Sequence, residues 1–393
     1  MRRVYLDHIA ATPVHPEVVE AMLPYLRENF GNPQSLHSVG QQALEAIEEA
    51  REKVARLIKA KEEEVYFTSS GSESNNFALK GIALAHRTKG NHIVVSAIEH
   101  FSVLHSLKFL ENLGFDATLV PVDKWGLVDP SDVNKAINSK TILVSIMLAN
   151  GEVGTIEPIS EISKICRSKG IIFHTDAVDA VGNIPVDVEE LGVDALSLSG
   201  NQFYGPQGSG ALYLRKGTRI LPLIDGGIQE KGRRAGTENV AGIVGLGQAA
   251  EIALRELRGR EEKAKFLRDL LIRELPRRVE HVQLTGHPEL RLPHHASFCV
   301  EFIEGEAMLL NLDMQGVSAS SGSACTSKAL KASHVLLAMG FDHATAQGSV
   351  VFSLLEETSK EDINYLLDIF PPIVERLRKM SPLYTQYLEE RKK

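Results

Sequence analysis

Apolar positions along this chain switch between two periods. Short runs rich in Val, Ile, Leu and Thr, at residues 65–68, 92–97, 117–122, 141–148, 171–176, 194–199 and 210–215, read as buried strands. Between them, residues 41–61, 75–87, 101–113 and 159–169 carry apolar side chains at helical spacing, and several of these segments stop at a glycine, Gly90, Gly114 or Gly170. Strand and helix alternate. The pattern predicts an α/β fold with a mostly parallel seven-stranded sheet covered by helices.

After residue 215 the pattern changes. A Gly- and Arg-rich loop at 226–237 leads into a long charged helical stretch, about 240–275, of the kind that links two lobes. Beyond it, expected strands at 296–302, 317–320 and 349–354 alternate with expected helices at 306–313, 330–339 and 360–379, a smaller α+β unit. We therefore expect a large α/β domain over 16–260 and a small domain built from 1–15 plus 261–393. The last residues, 387–393, are charged and are expected to fray.

Composition narrows the chemistry. With 393 residues and 43% hydrophobic side chains, the chain can bury a large core without disulfides or a structural metal. Its 43 Lys plus Arg against 51 Asp plus Glu leave a formal charge of −8, which argues against nucleic acid or an anionic membrane as partner and for small molecules or proteins. The three cysteines, Cys166, Cys299 and Cys325, are odd in number and widely spaced, as suits a reducing cytoplasm. No stretch approaches the ~20 apolar residues of a membrane span, so a soluble cytoplasmic protein is expected.

Several segments combine chemistry-bearing residues with strand ends. Thr68-Ser-Ser-Gly-Ser-Glu-Ser74, with Gly71 and Ser72 at its centre, places small hydroxyl residues before a helix, a phosphate-binding pattern as well as an ordinary capped turn. Glu99-His100 and His174-Thr-Asp176-Ala-Val-Asp179 lie past strand ends, where open α/β sheets place ligand groups; the plain alternatives are an exposed loop histidine and a helix cap. Ser199-Gly-Asn-Gln202 opens a sharp Gly/Pro-rich turn. Cys325 sits among Ser, Gly, Ala and Thr, placed for reach, whereas Cys299 lies in an apolar run; a buried, inert Cys325 is the alternative.

Taken in order, these segments resemble the NifS/IscS-type cysteine desulfurases, pyridoxal phosphate (PLP) enzymes of fold type I. The resemblance extends over Tyr5-Leu-Asp-His-Ile-Ala-Ala-Thr-Pro13, Gly31-Asn-Pro33, Glu152-Val-Gly-Thr155, Tyr204-Gly-Pro206, Arg234-Ala-Gly-Thr-Glu238, the Cys325 loop and Ser381-Pro-Leu-Tyr384. It implies a homodimer that converts L-cysteine to L-alanine and leaves a persulfide on the loop cysteine, for delivery to an iron–sulfur scaffold protein (IscU-like) or another sulfur acceptor. By the same resemblance, Gly71, Ser72, Ser199 and Thr237 of a partner subunit match phosphate contacts. His100 matches the ring-stacking catalytic histidine, Asp176 the pyridinium partner, and Cys325 the persulfide carrier or a ligand to a transient iron–sulfur cluster.

Other positions depart from the family. Its Ser-Gly-His-Lys is here Ser199-Gly-Asn201-Gln202, so a carboxamide stands where the Schiff-base lysine belongs, and an amide nitrogen is neither nucleophilic nor basic. The second Asn of Asn-Asn-Glu is Gly151. The glutamine facing the PLP phenolic oxygen is Asp179, a like-charge contact costing ~1–4 kcal/mol depending on burial. The substrate-carboxylate arginine is Val351, and the Gly-Arg after it is Leu355-Glu356. Lys231, where the family has arginine, is the substitute lysine to check. Three readings follow: a sulfur-transfer or cluster-assembly protein with impaired PLP catalysis; an active cysteine desulfurase holding PLP non-covalently; or a structural or regulatory partner without sulfur chemistry.

Overall fold

The computed structural model describes residues 2–322 and 332–391. Its centre is a sheet of seven strands, Val65–Thr68, His92–Ser96, Asp116–Val120, Thr141–Ser145, Ile172–Asp176, Ala195–Ser199 and Gly210–Leu214. Across the sheet the order is Val65, Gly210, Ala195, Ile172, Thr141, His92, Asp116, naming each strand by its first residue. The last five of these run parallel, while Gly210–Leu214 runs antiparallel to both neighbours. The His92, Thr141, Ala195 and Gly210 strands are buried along their whole length, because helices cover both faces. Their sequences accordingly read as apolar runs, not alternations.

One polar rung crosses this core. His174 Nδ1 lies 2.8 Å from Ser145 Oγ and its Nε2 lies 2.9 Å from Ser197 Oγ, joining three adjacent strands. Burial pushes its pKa down to about 3, so the ring stays neutral and belongs to the sheet, not to a site.

A second core lies beyond the sheet. Strands Val282–Leu284, His295–Val300 and Ser349–Ser353 form an antiparallel sheet covered by helices Gly305–Met314 and Lys360–Lys379. Residues near the N-terminus join it: Val4–Tyr5 pairs in parallel with Val317–Ser318, and Val4 and Leu6 are buried there. Helix Val240–Arg278, 39 residues and so roughly 58 Å long, serves both cores. It contributes Ile243, Leu246, Ala250 and Ala253 to the core beside the large sheet, and Leu267, Leu271 and Leu275 to the second.

Two expectations need correction, and one helix was not foreseen. Residues 387–390 of the tail expected to fray instead end helix Pro382–Glu390, capped by Ser381 and started by Pro382, with Tyr384 and Tyr387 packed 5.5 and 4.8 Å from the Phe302 ring; residues 392–393 lie outside the described residues. The helix expected at 75–87 begins at Gly71, because the Ser70 side chain accepts from Glu73 N, and it widens into a π turn over Phe77–Gly81. Helix Pro16–Arg27, opened by a proline after His15, was not anticipated.

Candidate active site

A cavity of about 520 Å³ opens at the carboxyl ends of the parallel strands. One side is built from the turn after Val65–Thr68. Ser70 caps the helix that follows, and a Cβ on Gly71 would lie 2.3 Å from Val178 Cγ2, so glycine lets this turn press against the segment after Asp176. The Glu73 carboxylate ties the turn down: it accepts from Ser69 N at 2.8 Å and from Arg234 Nε at 2.8 Å.

Asp176 ends its strand at the cavity floor. Its Oδ2 accepts from Asn75 Nδ2 at 2.6 Å and its Oδ1 from Val178 N at 3.0 Å. Burial raises its pKa, against the opposing influence of His100. Asn75 Oδ1 is buried without a partner. His100 stands exposed above, capping helix Phe101–Glu111 with Nδ1, which accepts from Ser102 N at 3.1 Å. Small hydroxyls at a helix start suit a phosphate, and a carboxylate at a strand end suits a cationic ring nitrogen.

The opposite side carries the departures. Ser199 Oγ donates to Asn201 Oδ1 at 2.5 Å. Gln202 Nε2 donates to Ile9 O at 2.7 Å, and Thr12 Oγ1 donates to Asn201 O at 2.9 Å, so this turn is sewn to the N-terminal segment. Gly151 and Asp179 are complementary: a Cβ on Gly151 would lie 2.4 Å from Asp179 Oδ2. The Asp179 carboxylate thus fills the space that a side chain at position 151 would occupy. Burial, reinforced by Asp176, pushes Asp179 up to about 7.

Two more carboxyls line the cavity. Glu99 accepts from Ser96 Oγ at 2.6 Å and Met147 N at 2.9 Å, keeps Oε2 unpartnered, and is pushed by burial to about 8. Glu152 is likewise pushed to about 8, and a Cβ on Gly322 would lie 1.8 Å from its Oε1, so the chain at Gly322 runs directly against this carboxyl. Val351 forms an apolar wall, its N donating to Ser320 O at 2.7 Å.

The structure thus gathers Gly71, Ser72, His100, Asp176, Asp179, Ser199, Asn201 and Gln202 around one cavity. Thr237 is exposed and outside this lining, and Cys325 falls in residues 323–331, outside the described residues. Among the described residues no group of three or more His, Cys, Asp and Glu could hold a metal ion. No lysine or arginine belongs to the described lining. Lys231 lies elsewhere, its Nζ donating to Glu63 O at 3.2 Å, with Glu230 beside it held by Arg51 in a buried two-bond pair. Glu356 also lies off the cavity, paired with Arg260 Nε at 2.8 Å. Cys166 and Cys299 are buried with thiols pushed to about 12, inert structural cysteines. Asn75, Glu152 and His334 were missed as site residues; for Asn75 the available signal was its place one turn into the Ser70-capped helix.

Residues 4–366 match the aminotransferase class-V family. The chain is 55% identical over 381 residues to the cysteine desulfurase IscS of Dictyoglomus turgidum, covering 97% of each, and 52% identical over 382 residues to that of Methanosarcina thermophila, covering 97% of this chain and 94% of the relative. Among solved structures, a NifS-like protein superposes with TM-score 0.90 at 38% identity, over 96% of this chain and 100% of the other. The apo cysteine desulfurase of Thermococcus onnurineus superposes with TM-score 0.85 at 29% identity, over 95% of each chain.

PLP is the cofactor of this family, and the cavity fits most of it. The capped turn with Ser72, and buried Asp176 with the orphaned Asn75 oxygen beside it, suit its phosphate and ring. Its aldehyde meets no described amine. With the parallel sheet, the cavity at its strand ends and relatives matched along nearly the whole length, the chain belongs to the cysteine desulfurases of the class-V aminotransferase family.

Proposed function

We propose that the protein mobilises sulfur derived from L-cysteine, with the Cys325 thiol as its carrier. In the overall reaction the C–S bond of cysteine breaks, an S–S bond forms to Cys325, and the thiol proton is retained as the products L-alanine and protein persulfide form. Bound PLP supplies an electron sink for the substrate carbon. In this reading Asp176 holds the ring nitrogen, His100 covers the ring, and Gly71, Ser72 and Ser199 hold the phosphate, with Thr237 reaching the site of a second copy of the chain. Exposed Phe30, Leu36 and Ile228 supply apolar surface for that pairing. The sulfur then passes to an acceptor protein, an iron–sulfur scaffold or another thiol carrier, or Cys325 holds a nascent cluster.

The observation that carries the proposal is the match of nearly the whole chain, at up to 55% identity, to proteins named cysteine desulfurase. On turnover two readings divide. The relatives, named cysteine desulfurase, back an active enzyme better than an impaired one; with Gln202 in place of an amine, that enzyme would hold PLP without a covalent bond to this position. Gln202, whose amide is engaged with Ile9 O, and apolar Val351 favour weak or absent turnover. The deciding experiment incubates the full chain with L-cysteine, PLP and a reducing thiol and measures alanine and sulfide. Turnover at ordinary enzyme rates, lost in Cys325→Ser, establishes the active reading. No alanine, with Cys325 still accepting a persulfide from a lysine-bearing desulfurase, establishes the impaired one. Neither alanine nor persulfide leaves the structural or regulatory reading.

A further inference from the structure

We propose that the cavity takes vitamin B6 phosphate in its amine form, pyridoxamine 5′-phosphate, in preference to the aldehyde PLP. The inference rests on the reading that this cavity binds vitamin B6, and is independent of sulfur transfer to Cys325.

The first argument is charge. The described lining presents Glu99, Glu152, Asp176 and Asp179, with His100 and His334, and neither lysine nor arginine. An aldehyde gains its tight hold in such sites by combining with a protein amine, which these residues do not offer. A 4′-ammonium needs no covalent partner and can donate to the carboxyl and amide oxygens of this lining, charged or neutral, in a cavity of low dielectric.

The second argument is place. Asp179 makes no ion pair and no side-chain hydrogen bond among the described residues, although the missing side chain of Gly151 gives its carboxylate room at the wall. Its backbone neighbours the Gln202 turn, since Asn183 Nδ2 donates to both Asp179 O and Gln202 O at 3.2 Å. A half-buried carboxyl that faces the cavity without a cation among the described residues leaves oxygens free to accept from a ligand. Gln202 adds an acceptor: its Nε2 is committed to Ile9 O, which leaves the carboxamide oxygen to accept from an ammonium. Asn75 Oδ1, buried in the lining and without a partner among the described residues, is a further acceptor. The substitutions that remove the aldehyde's partner are thus the ones that furnish partners for the amine.

The test titrates the full-length protein, stripped of B6, separately with pyridoxamine phosphate and with PLP by calorimetry. The amine form is expected to bind at least 10-fold tighter. In Asp179→Gln that ratio is expected to fall toward one, with folding checked by circular dichroism and Asp179→Asn as the second variant. Equal or tighter PLP binding, failure to bind either form, or an unchanged ratio in both variants overturns the proposal. Borohydride reduction after PLP loading, followed by peptide mass spectrometry, is the second readout; a pyridoxyl adduct on any lysine, Lys328 and Lys331 included, also overturns it. If the amine preference holds while Cys325 accepts no persulfide, the sulfur reading fails and this one stands.

Discussion

The two walls of the cavity are built differently. The wall made by Ser70–Asn75 and Asp176 is tied together by its own polar groups: Ser70 caps, Glu73 is knotted to Arg234, and Asn75 holds Asp176 while its Oδ1 stays open toward a ligand. The wall made by Gly151, Asp179, Asn201 and Gln202, where the sequence reading finds departures from the family pattern, is packed around a different device. Asp179 occupies the room Gly151 vacates, and Gln202 binds the N-terminal segment. A site that had merely decayed would leave clashes or voids. This wall is packed without such defects, and under the proposed reading it separates holding a cofactor from reacting with it.

The strongest way to break that division is to restore the amine. Gln202→Lys combined with Asp179→Gln is expected to gain a covalent, borohydride-reducible bond to PLP and a visible absorption band, both absent from the parent chain; continued failure of the double variant to attach PLP would show that other positions control the aldehyde side. On the other wall, Asp176→Asn is expected to weaken pyridoxamine phosphate and PLP alike, by roughly 10- to 100-fold, because it removes a charge-assisted bond to a ring nitrogen common to both. A change in the ratio between the two forms, measured by the same titration, would mean that the walls are not independent. Gly151→Asn is expected to cost on the order of 1–3 kcal/mol through overlap with Asp179, and Asp179→Gln in the same chain to recover most of it. Thermal melts of the four proteins in that cycle measure the coupling, and simple additivity would refute the pairing.

The smallest effect lies outside the cavity and calibrates the rest. Glu157 is buried, accepts from Val128 N at 2.8 Å, and is pushed by burial from 4.5 to about 8. Its folded form holds a proton more tightly than its unfolded form, so its contribution to stability is complete below about pH 4.5 and is lost as pH rises through about 8. Glu157→Gln is therefore expected to melt with the parent protein near pH 4.5 and about 2–4 °C above it at pH 9. A constant offset across that range would contradict the buried-carboxyl assignment.

Much of this was legible in the sequence because the signals were local. Fully buried strands read as apolar runs, and the residues at their ends, such as Asp176 and His100, followed from topology, since a parallel sheet delivers ligand groups at its carboxyl edge. What was not legible depends on packing between distant segments. Gly151 and Asp179 each read as a separate loss, and only their proximity shows that one makes room for the other. Gln202 reads as a missing amine, but its bond to Ile9 spans 193 positions of chain. The C-terminal helix was misread because its charge suggested solvent, while the aromatic side chains that fasten it dock on Phe302, far upstream.

The 39-residue helix that runs through both cores has a mechanical consequence. The cavity is rimmed from both ends of that rod, by Asp176 and Gln202 on one lobe and by Ser320, Gly322 and Val351 on the other. Over roughly 58 Å, a tilt of about 5° at one end carries the far end about 5 Å, comparable to the width of an aromatic ring. Bonds beside the rod tie the same two rims together, His8 between Leu354 O and Gln202 O and Arg291 on Val153 O, so such a tilt has to stretch these fastenings before the mouth can widen.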